Sequence, residues 1–449
     1  MKLVIVGAGQ IGANLADALS KEKNDVYLVE SSEDVAREVS DKLDVKVIIG
    51  NGSDPQTLLK AQVQNADMVL AVTTSDETNL IVCSIAASFG AVRKIARIRN
   101  TSLSKLVEEK GFEHFHIDNI INPELVAAQS IVRTLQTPGA SDVADFADGR
   151  ILLRGFDVPE HSPLCGMKIG DLREEDFPWP FLIVSILRAD TVMIPKGDAV
   201  IEANDKIYVL LPKHSLVEFL TFIDPDIKMP KKVIVYGATN IGQEVARNIG
   251  AIVKNVILLD ENRESAENVA ESLENIRVIH GSAAESQMLT ESGVEAADVF
   301  IATSNSDHSN LISAVLAKKM GAKIAIIITQ QSDYIAISDS LGIDSIINPH
   351  HLAVEQILHL VRGKGISSVS KLLECDAEAL EFIPEEGSLV TQDILKNIRF
   401  PKNSIIGAVS SGDEINLADG NTKIKPGDHV IVFCENKAVK KLQELFTNS

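Results

Sequence analysis

Residues 1–30 read MKLVIVGAGQIGANLADALSKEKNDVYLVE, and this stretch decides the fold. An apolar run up to Val6 predicts a buried strand, the glycines after it predict a tight turn, and apolar residues at helical spacing predict an amphipathic helix. A second apolar run ends at Glu30, about twenty residues beyond the glycines. A strand, a G-x-G-x-x-G turn, a helix and an acidic strand end together indicate a Rossmann-like, doubly wound α/β domain with a dinucleotide site.

Each residue of this motif has a physical role. Gly7 permits the tight turn, Gly9 lets the backbone approach a pyrophosphate, and Gly12 allows the helix to pack closely on the strand. The anion would lie at the helix N-terminus, where free N–H groups and the helix dipole favour negative charge. Glu30 would bind ribose hydroxyls and repel a 2′-phosphate, which favours NAD(H) over NADP(H). The alternative is a domain of the same fold with an empty crevice.

Hydroxyl and carboxylate side chains follow the predicted fourth strand. This fold places the fourth strand beside the first, so its carboxyl end faces the glycine turn. Thr73 and Thr74, at the strand tip, are therefore expected to contact the ligand. Ser75 and Asp76 either join them or only cap the next helix.

The predicted fifth strand, residues 94–100, reads KIARIRN. Strand alternation places Arg97 and Arg99 on one face near its carboxyl end. Two guanidinium groups beside a crevice suit a phosphate. The alternative is that both arginines form ion pairs between subunits.

The chain contains this pattern twice. VIVGAGQIG at residues 4–12 returns as IVYGATNIG at 234–242, and ADMVLAVT at 66–73 returns as ADVFIAT at 297–303. Each copy is followed by short alternating strands with glycine and proline turns, which indicate a small α+β, β-rich domain. The predicted fold is a tandem of parallel α/β sheets and small C-terminal domains, with boundaries at 1–138, 142–225, 231–362 and 366–449.

The second copy departs from the nucleotide-binding pattern. Asp260 still ends its second strand, but Thr239 replaces the middle glycine and Gln330 stands where the first copy has Arg99. A threonine side chain crowds the closest approach of a phosphate. We therefore expect a mononucleotide, a shifted dinucleotide or no ligand in this half.

Composition excludes several classes of protein. The net charge of −20 repels nucleic acid and anionic lipid, and no apolar run reaches the roughly 20 residues that span a bilayer. Without a signal-peptide pattern, the chain is expected to be cytoplasmic. Its cysteines stand singly, which offers no metal knuckle or disulfide framework; they are Cys83, Cys165, Cys375 and Cys434.

Catalysis is not indicated by any motif. A dehydrogenase needs a general acid or base beside the nicotinamide, and the small domains offer no compact constellation of such residues or of metal ligands. Binding without turnover is the simpler interpretation. The alternatives are an NAD-dependent oxidoreductase with an unidentified substrate and a structural scaffold.

The duplicated order of glycine turn, acidic strand end, TTSDETN at residues 73–79, ARIR at 96–99 and NPE at 122–124 resembles the TrkA family. Its members are cytosolic regulatory subunits of bacterial Trk potassium-uptake systems. The resemblance implies a homo-oligomeric ring, expected to be a tetramer, at the cytoplasmic face of the inner membrane. There it would attach to an integral membrane potassium transporter and respond to NAD(H) or to ATP and ADP.

The resemblance also implies cofactor positions in both copies. Thr239 departs from the family's glycine-rich pattern, which weakens the second set. The first set is Gly7, Ala8, Gly9, Gln10, Ile11, Glu30, Thr73, Thr74 and Arg97, and the second is Gly237, Ala238, Thr239, Asn240, Ile241 and Asp260.

Overall fold

Each half of the chain contributes one part to each of two structural units. One unit contains Met1–Val132 and Pro230–Val361, and the other contains Arg133–Met229 and Arg362–Ser449. The structure, a computed structural model, describes residues 1–22, 24–174, 179–189, 191–331, 334, 341–362, 366–371, 377–412 and 414–447. Cys375 lies outside the described residues.

The first nucleotide-fold domain is built on a parallel sheet of order β3-β2-β1-β4-β5-β6. Val6 of the first strand pairs with Ala71 of the fourth, which confirms that these strands are neighbours. The crevice therefore opens at their carboxyl ends. The strands are β1 (Lys2–Val6), β2 (Asp25–Glu30), β3 (Lys46–Ile49), β4 (Met68–Ala71), β5 (Arg93–Arg97) and β6 (Asn119–Ile121). The helices are α1 (Gln10–Lys21), α2 (Glu33–Lys42), α3 (Pro55–Lys60), α4 (Asp76–Ser88), α5 (Thr101–Lys110) and α6 (Pro123–Gln136).

The first small domain is an antiparallel sheet of order β10-β9-β11-β8-β7. Strand β11 is buried along its whole length, as expected for the central strand of a sheet covered on both faces. The strands are β7 (Ala140–Phe146), β8 (Ile151–Asp157), β9 (Leu182–Arg188), β10 (Thr191–Met193) and β11 (Lys206–Pro212), with helices α7 (Asp171–Glu174) and α8 (Leu216–Ile223).

The second nucleotide-fold domain repeats the first, with sheet order β14-β13-β12-β15-β16-β17. All of its strand pairs are parallel. Its strands are β12 (Lys232–Tyr236), β13 (Asn255–Asp260), β14 (Arg277–His280), β15 (Val299–Ala302), β16 (Ile324–Ile328) and β17 (Ser345–Ile347). Its helices are α9 (Asn240–Gly250), α10 (Arg263–Ser272), α11 (Ser286–Ser292), α12 (Asp307–Met320) and α13 (Pro349–Arg362).

The second small domain has the sheet order β18-β19-β22-β20-β21, which matches the first strand for strand. The two small domains share one apolar cluster, in which Leu153 and Leu210 meet Ala408 and Phe433. This shared core explains why they form one unit. The strands are β18 (Ile366–Lys371), β19 (Ala377–Phe382), β20 (Ser404–Ser411), β21 (Glu414–Leu417) and β22 (His429–Glu435), followed by α14 (Val439–Phe446).

Helix α13 joins the two nucleotide-fold domains. It follows the second parallel sheet in sequence, but Ala353, Ile357 and Val361 belong to the apolar cluster formed by the first sheet and α1. Burial of each large aliphatic side chain contributes about 1.5–3 kcal/mol. The start of α13 is thereby held at the crevice of the first domain.

Candidate nucleotide-binding site

A cleft of about 860 Å³ lies between the two nucleotide-fold domains, within one structural unit. Its volume is typical of a small-molecule site. Predicted site residues from both copies line it: Gly7, Gly9, Gln10, Ile11, Glu30, Thr73, Thr74, Arg97, Arg99, Ala238, Thr239, Asn240 and Ile241. Ala8, Gly12, Gly237 and Asp260 are not among the lining residues.

The first glycine turn leaves the start of α1 open toward the cleft. Gly7 has a φ of +105°, and a Cβ there would lie 3.0 Å from the backbone of Thr73. A Cβ on Gly12 would lie 1.8 Å from the carbonyl oxygen of Gly7, so the helix packs on the turn as predicted. Gly9 is the N-cap of α1 without a side-chain capping bond, and no atom of the described part of the chain lies within 4 Å of a Cβ placed on it. This arrangement offers unfilled N–H donors to an anion.

Glu30 holds the turn as well as facing the cleft. Its carboxylate accepts hydrogen bonds from the N–H groups of Ala8 at 2.8 Å and Ser32 at 2.9 Å, and from the Ser31 hydroxyl at 3.1 Å. Partial burial opposes ionisation, but these hydrogen bonds outweigh it and lower the pKa of the carboxyl. Glu30 is therefore an anionic acceptor, and its role toward a ribose stays a prediction.

The tip of β4 is organised by Asn79, a buried residue of α4. Its side chain accepts hydrogen bonds from the Thr73 N–H at 2.9 Å and the Thr73 hydroxyl at 2.7 Å. Its amide group donates to the carbonyl of Arg97 at 2.8 Å. The Thr73 hydroxyl is thus already hydrogen-bonded, whereas Thr74 is exposed beside the cleft.

Ser75 and Asp76 have different structural roles. Ser75 accepts a hydrogen bond from the Thr78 N–H at 3.1 Å, which confirms the helix-capping interpretation. Asp76 accepts hydrogen bonds from the backbone N–H groups of Arg99 at 3.0 Å and Asn100 at 2.9 Å. It therefore ties the end of β5 to the start of α4.

The two arginines, treated alike from sequence, differ in structure. Arg97 is 9% exposed. Among the described residues, its Nε has no hydrogen-bond partner and its side chain makes one hydrogen bond, a 3.5 Å contact with the Thr73 carbonyl. Burial and then the charge of Arg99 lower its pKa. Arg99 instead forms an ion pair with Glu124 at 2.6 Å. Of the two arginines, Arg97 is the one without a carboxylate partner among the described residues.

The second glycine turn is closed at the corresponding point. The hydroxyl of Thr239 accepts a hydrogen bond from the Gly242 N–H at 3.2 Å and donates to the Thr303 carbonyl at 2.8 Å. It therefore caps α9 with its own side chain. Asn310 donates to the Ile328 carbonyl as Asn79 does to Arg97, so an isoleucine takes the place of the buried arginine.

Two contacts between the domains were not anticipated from sequence. Glu124, at the start of α6, accepts a hydrogen bond from the Asn240 side chain at 3.1 Å. His350, at the start of α13, has its Nδ1 within hydrogen-bonding distance of Gln10 Oε1. The repeated Asn-Pro-Glu and Asn-Pro-His segments showed that Glu124 and His350 occupy equivalent positions in the two copies. The contacts themselves could not be predicted, because the contacting residues are 116 and 340 positions apart in the chain.

Loops after other strands also line the cleft without having been predicted. Ser31 follows β2, Asn51 follows β3, and Ser304 and Asp307 come from the second domain. The glycine pair around Asn51 was the available sequence indication of a close backbone approach.

A second group of ligating side chains lies in the other unit. His161 Nε2 is 3.1 Å from Asp224 Oδ1 and 3.9 Å from Asp226 Oδ2, close enough together to hold a metal ion. Sequence analysis missed it because 63 residues separate the histidine from Asp224. The hydrogen bond between His161 and Asp224 accounts for the contact without a metal.

Comparison with known proteins gives matches along the chain. The TrkA-N domain matches residues 3–123 and 233–349, and the TrkA-C domain matches residues 153–224 and 380–447. The Trk system potassium uptake protein TrkA of Vibrio alginolyticus is 34% identical over 457 aligned positions, covering 100% of this chain and 99% of that protein. No helix in the part of the chain that the structure describes is long and apolar enough to cross a membrane.

Solved structures share the fold over nearly the whole chain. The GsuK RCK domain has a TM-score of 0.62 at 17% identity, covering 99% of this chain and 94% of that one. The GsuK channel bound to NAD has a TM-score of 0.64 at 16% identity, covering 99% of this chain and 78% of that one. With both domain types matched twice and a relative aligned end to end, the chain belongs to the TrkA family of Trk system potassium uptake proteins.

Proposed function

We propose that this chain is a regulatory subunit that senses NAD(H) at its first glycine turn and gates a membrane-embedded potassium transporter. The observation that carries the proposal is that one cleft holds both an uncapped helix start at Gly9 and the buried guanidinium of Arg97, which has no carboxylate partner among the described residues and whose Nε has no hydrogen-bond partner there. Both features favour a bound phosphate. The names of the family's relatives support potassium uptake as the regulated process.

The cleft favours ligands that carry an adenosine diphosphate group. Gly9 and Arg97 would hold the diphosphate, and Glu30 would bind the ribose of the same nucleotide. NAD(H), ADP and ATP all contain these parts, and the GsuK channel was solved with NAD bound. Because residues of both domains line the cleft, a ligand there can stabilise one arrangement of the two nucleotide-fold domains.

The proposal extends to assembly and location. Ile81 of α4 and Ile312 of α12 occupy equivalent positions, two residues after Asn79 and Asn310, and are 47% and 56% exposed. Repeated exposed aliphatic residues favour contacts between copies of the chain, in keeping with a tetrameric ring. We place the ring at the cytoplasmic face of the inner membrane, bound to its transporter. We also propose that the chain divides into four domains at the boundaries predicted from sequence, 1–138, 142–225, 231–362 and 366–449.

The first experiment measures binding and turnover together. The purified chain is titrated with NAD+, NADH, ADP and ATP by calorimetry, and NADH absorbance is followed over hours. We expect saturable binding of NAD(H) without NADH consumption. Steady consumption with any metabolite would instead support an oxidoreductase, and absence of binding for every nucleotide would support a scaffold.

The second experiment measures potassium flux through the reconstituted transporter with wild type, Gly9→Asp and Thr239→Asp. Aspartate caps helices well, so Gly9→Asp retains α1 while placing a carboxylate where the diphosphate would bind. We expect at least about 100-fold weaker NAD+ binding, because charged hydrogen bonds contribute about 1.5–3 kcal/mol each. The nucleotide response of flux should disappear with it. Thr239→Asp is the matched control, and an unchanged Gly9→Asp response would refute the site.

A further inference from the structure

His350 belongs to the second nucleotide-fold domain but lies at the glycine turn of the first. It occupies the first turn of α13, whose apolar face packs into the first domain's core. Its Nδ1 is within hydrogen-bonding distance of the side chain of Gln10, the residue after Gly9. His350, Gly9 and Arg97 all line the same cleft. The first site is therefore bounded by a titratable side chain from the other copy.

The surroundings of His350 are predominantly positive. The charged or titratable groups that act on it are Arg97 and Arg99 at the end of β5, His351 on its own helix and Asp307 at the start of α12. The Asp307 carboxylate is already hydrogen-bonded to the Thr329 hydroxyl at 2.9 Å and the Gln330 N–H at 3.0 Å. Two further acids line the cleft, Glu30 bonded to the turn and Glu124 paired with Arg99.

These surroundings keep the free histidine neutral near pH 7. Burial, and then the charges of Arg97 and Arg99, lower the pKa of His350 below its ordinary value of 6.5. The N-terminal end of α13 also disfavours a cation at this position. A bound diphosphate would reverse this balance, because it would bring negative charge next to the same two arginines.

We propose that His350 is a phosphate-binding residue that completes the first-domain site and takes up a proton when the diphosphate of a dinucleotide binds. This inference rests on the proposed function, since it assigns a further residue to the same site. The proton moves from solvent to the imidazole, which becomes an imidazolium paired with the phosphate oxygens. The site in the first nucleotide-fold domain is therefore incomplete without the second nucleotide-fold domain of the same chain. This holds even though the glycine turn of the second domain is capped by its own Thr239.

The linkage has a definite sign. The free state holds the proton less tightly than the bound state, so binding consumes a proton between the two pKa values of His350. Affinity therefore rises as pH falls through that window. A rise of one pKa unit on binding corresponds to at most about a tenfold gain in affinity.

The test uses NAD+, because its diphosphate does not titrate between about pH 6 and pH 8, whereas the terminal phosphates of ADP and ATP do. Calorimetric titrations of the full chain in two buffers with different ionisation enthalpies give the number of protons taken up. The variants are His350→Gln, which cannot be protonated, and His350→Lys, which carries a permanent charge. The control is His280→Gln, since His280 is exposed and lies outside the cleft lining.

We expect wild type and His280→Gln to bind NAD+ about fivefold to tenfold more tightly at pH 6 than at pH 8, with proton uptake. His350→Gln should bind with the weaker affinity at both pH values and without uptake. His350→Lys should bind at pH 8 nearly as tightly as wild type at pH 6. Unchanged proton uptake in His350→Gln would overturn the inference while leaving the proposed function intact. Failure of wild type to bind any nucleotide would instead defeat both.

Discussion

The two glycine turns of this chain share their fold-forming residues and differ in the residues that would hold a ligand. Gly7 and Gly237 have φ values of +105° and +104°, and a Cβ on Gly12 or Gly242 would lie 1.8 or 1.9 Å from the preceding turn. Gly9 leaves its helix start open, whereas Thr239 caps its helix with a hydroxyl. The two copies therefore share the geometry of the turn but not the open helix start.

The acidic residue at the end of the second strand of each nucleotide-fold domain, Glu30 or Asp260, is also common to both copies. Glu30 accepts a hydrogen bond from the Ala8 N–H at 2.8 Å, and Asp260 accepts one from the Ala238 N–H at 2.5 Å. In both copies the carboxylate therefore holds the glycine turn in place. An acid at this position has a structural function even where the helix start is closed, so it is weaker evidence for a ribose than the motif alone indicates.

The electrostatic surroundings separate the two turns further. Arg97 and His350 line the cleft beside the first turn, whereas Ile328 takes the place of the arginine in the second copy. Glu124 contacts Asn240 in the second turn. The first turn therefore has a buried arginine and a histidine that can be protonated beside it, whereas the second has an apolar residue and a carboxylate, which predicts that anions bind mainly to the first.

Arg97→Met is expected to have the largest effect of the substitutions that test this comparison. It removes a buried guanidinium that has no carboxylate partner among the described residues, and it should weaken NAD+ binding by about 10- to 100-fold, because charged hydrogen bonds contribute about 1.5–3 kcal/mol. The melting temperature should stay the same or rise, because a buried charge without a partner destabilises the fold. Calorimetry and thermal unfolding of the same samples measure both quantities.

Arg99→Met is the matched control for this substitution. Arg99 is already paired with Glu124 and its side chain is 48% exposed, so its loss should weaken binding much less. Equal losses of affinity for the two variants would show that pairing in the free protein does not distinguish the arginines. A large drop in the melting temperature of Arg97→Met would show that Arg97 has a structural role instead.

The sequence alone predicted the features that depend on residues close to one another in the chain. Turn chemistry and apolar periodicity identified both α/β domains and the neighbouring first and fourth strands, and they gave helix capping as one of two roles for Ser75. The replacement of Arg99 by Gln330 was also visible. Comparing residues 94–100 with 325–331 would have shown the more important loss of Arg97, because Ile328 stands in its place.

The remaining features depend on partners from distant parts of the chain. The sequence gives no reason to prefer Arg97 or Arg99 as the residue that binds a phosphate, because only the structure shows that Glu124 lies beside Arg99. His350 reaches the first turn only because α13 packs on the other copy's sheet. Such packing is decided by the fit of whole apolar surfaces, and no local pattern in the chain reports it.

Glu124→Gln is expected to have an intermediate effect. It releases Arg99 and removes a negative charge from the cleft, so NAD+ should bind about threefold more tightly at low ionic strength. The gain should shrink as salt is added, because Arg99 is partly exposed. Glu33→Gln gives the same change in net charge outside the cleft lining and serves as the control. Weaker binding by Glu124→Gln would show that Glu124 contacts the ligand favourably.

Thr239→Gly is expected to have the smallest effect, and it tests whether the cap alone closes the second turn. The substitution is made in the Gly9→Asp background, so that binding at the first turn is suppressed. Loss of a threonine cap to glycine costs only a few tenths of a kcal/mol, so the domain should stay folded. Exposing the helix start in a cleft open to salt contributes near the low end of about 0.3–1 kcal/mol toward an anion, which predicts a gain of only about twofold in NAD+ affinity. Recovery to near wild-type affinity would mean that a buried arginine is not required, and that Gly9 and Thr239 alone account for the difference between the two turns.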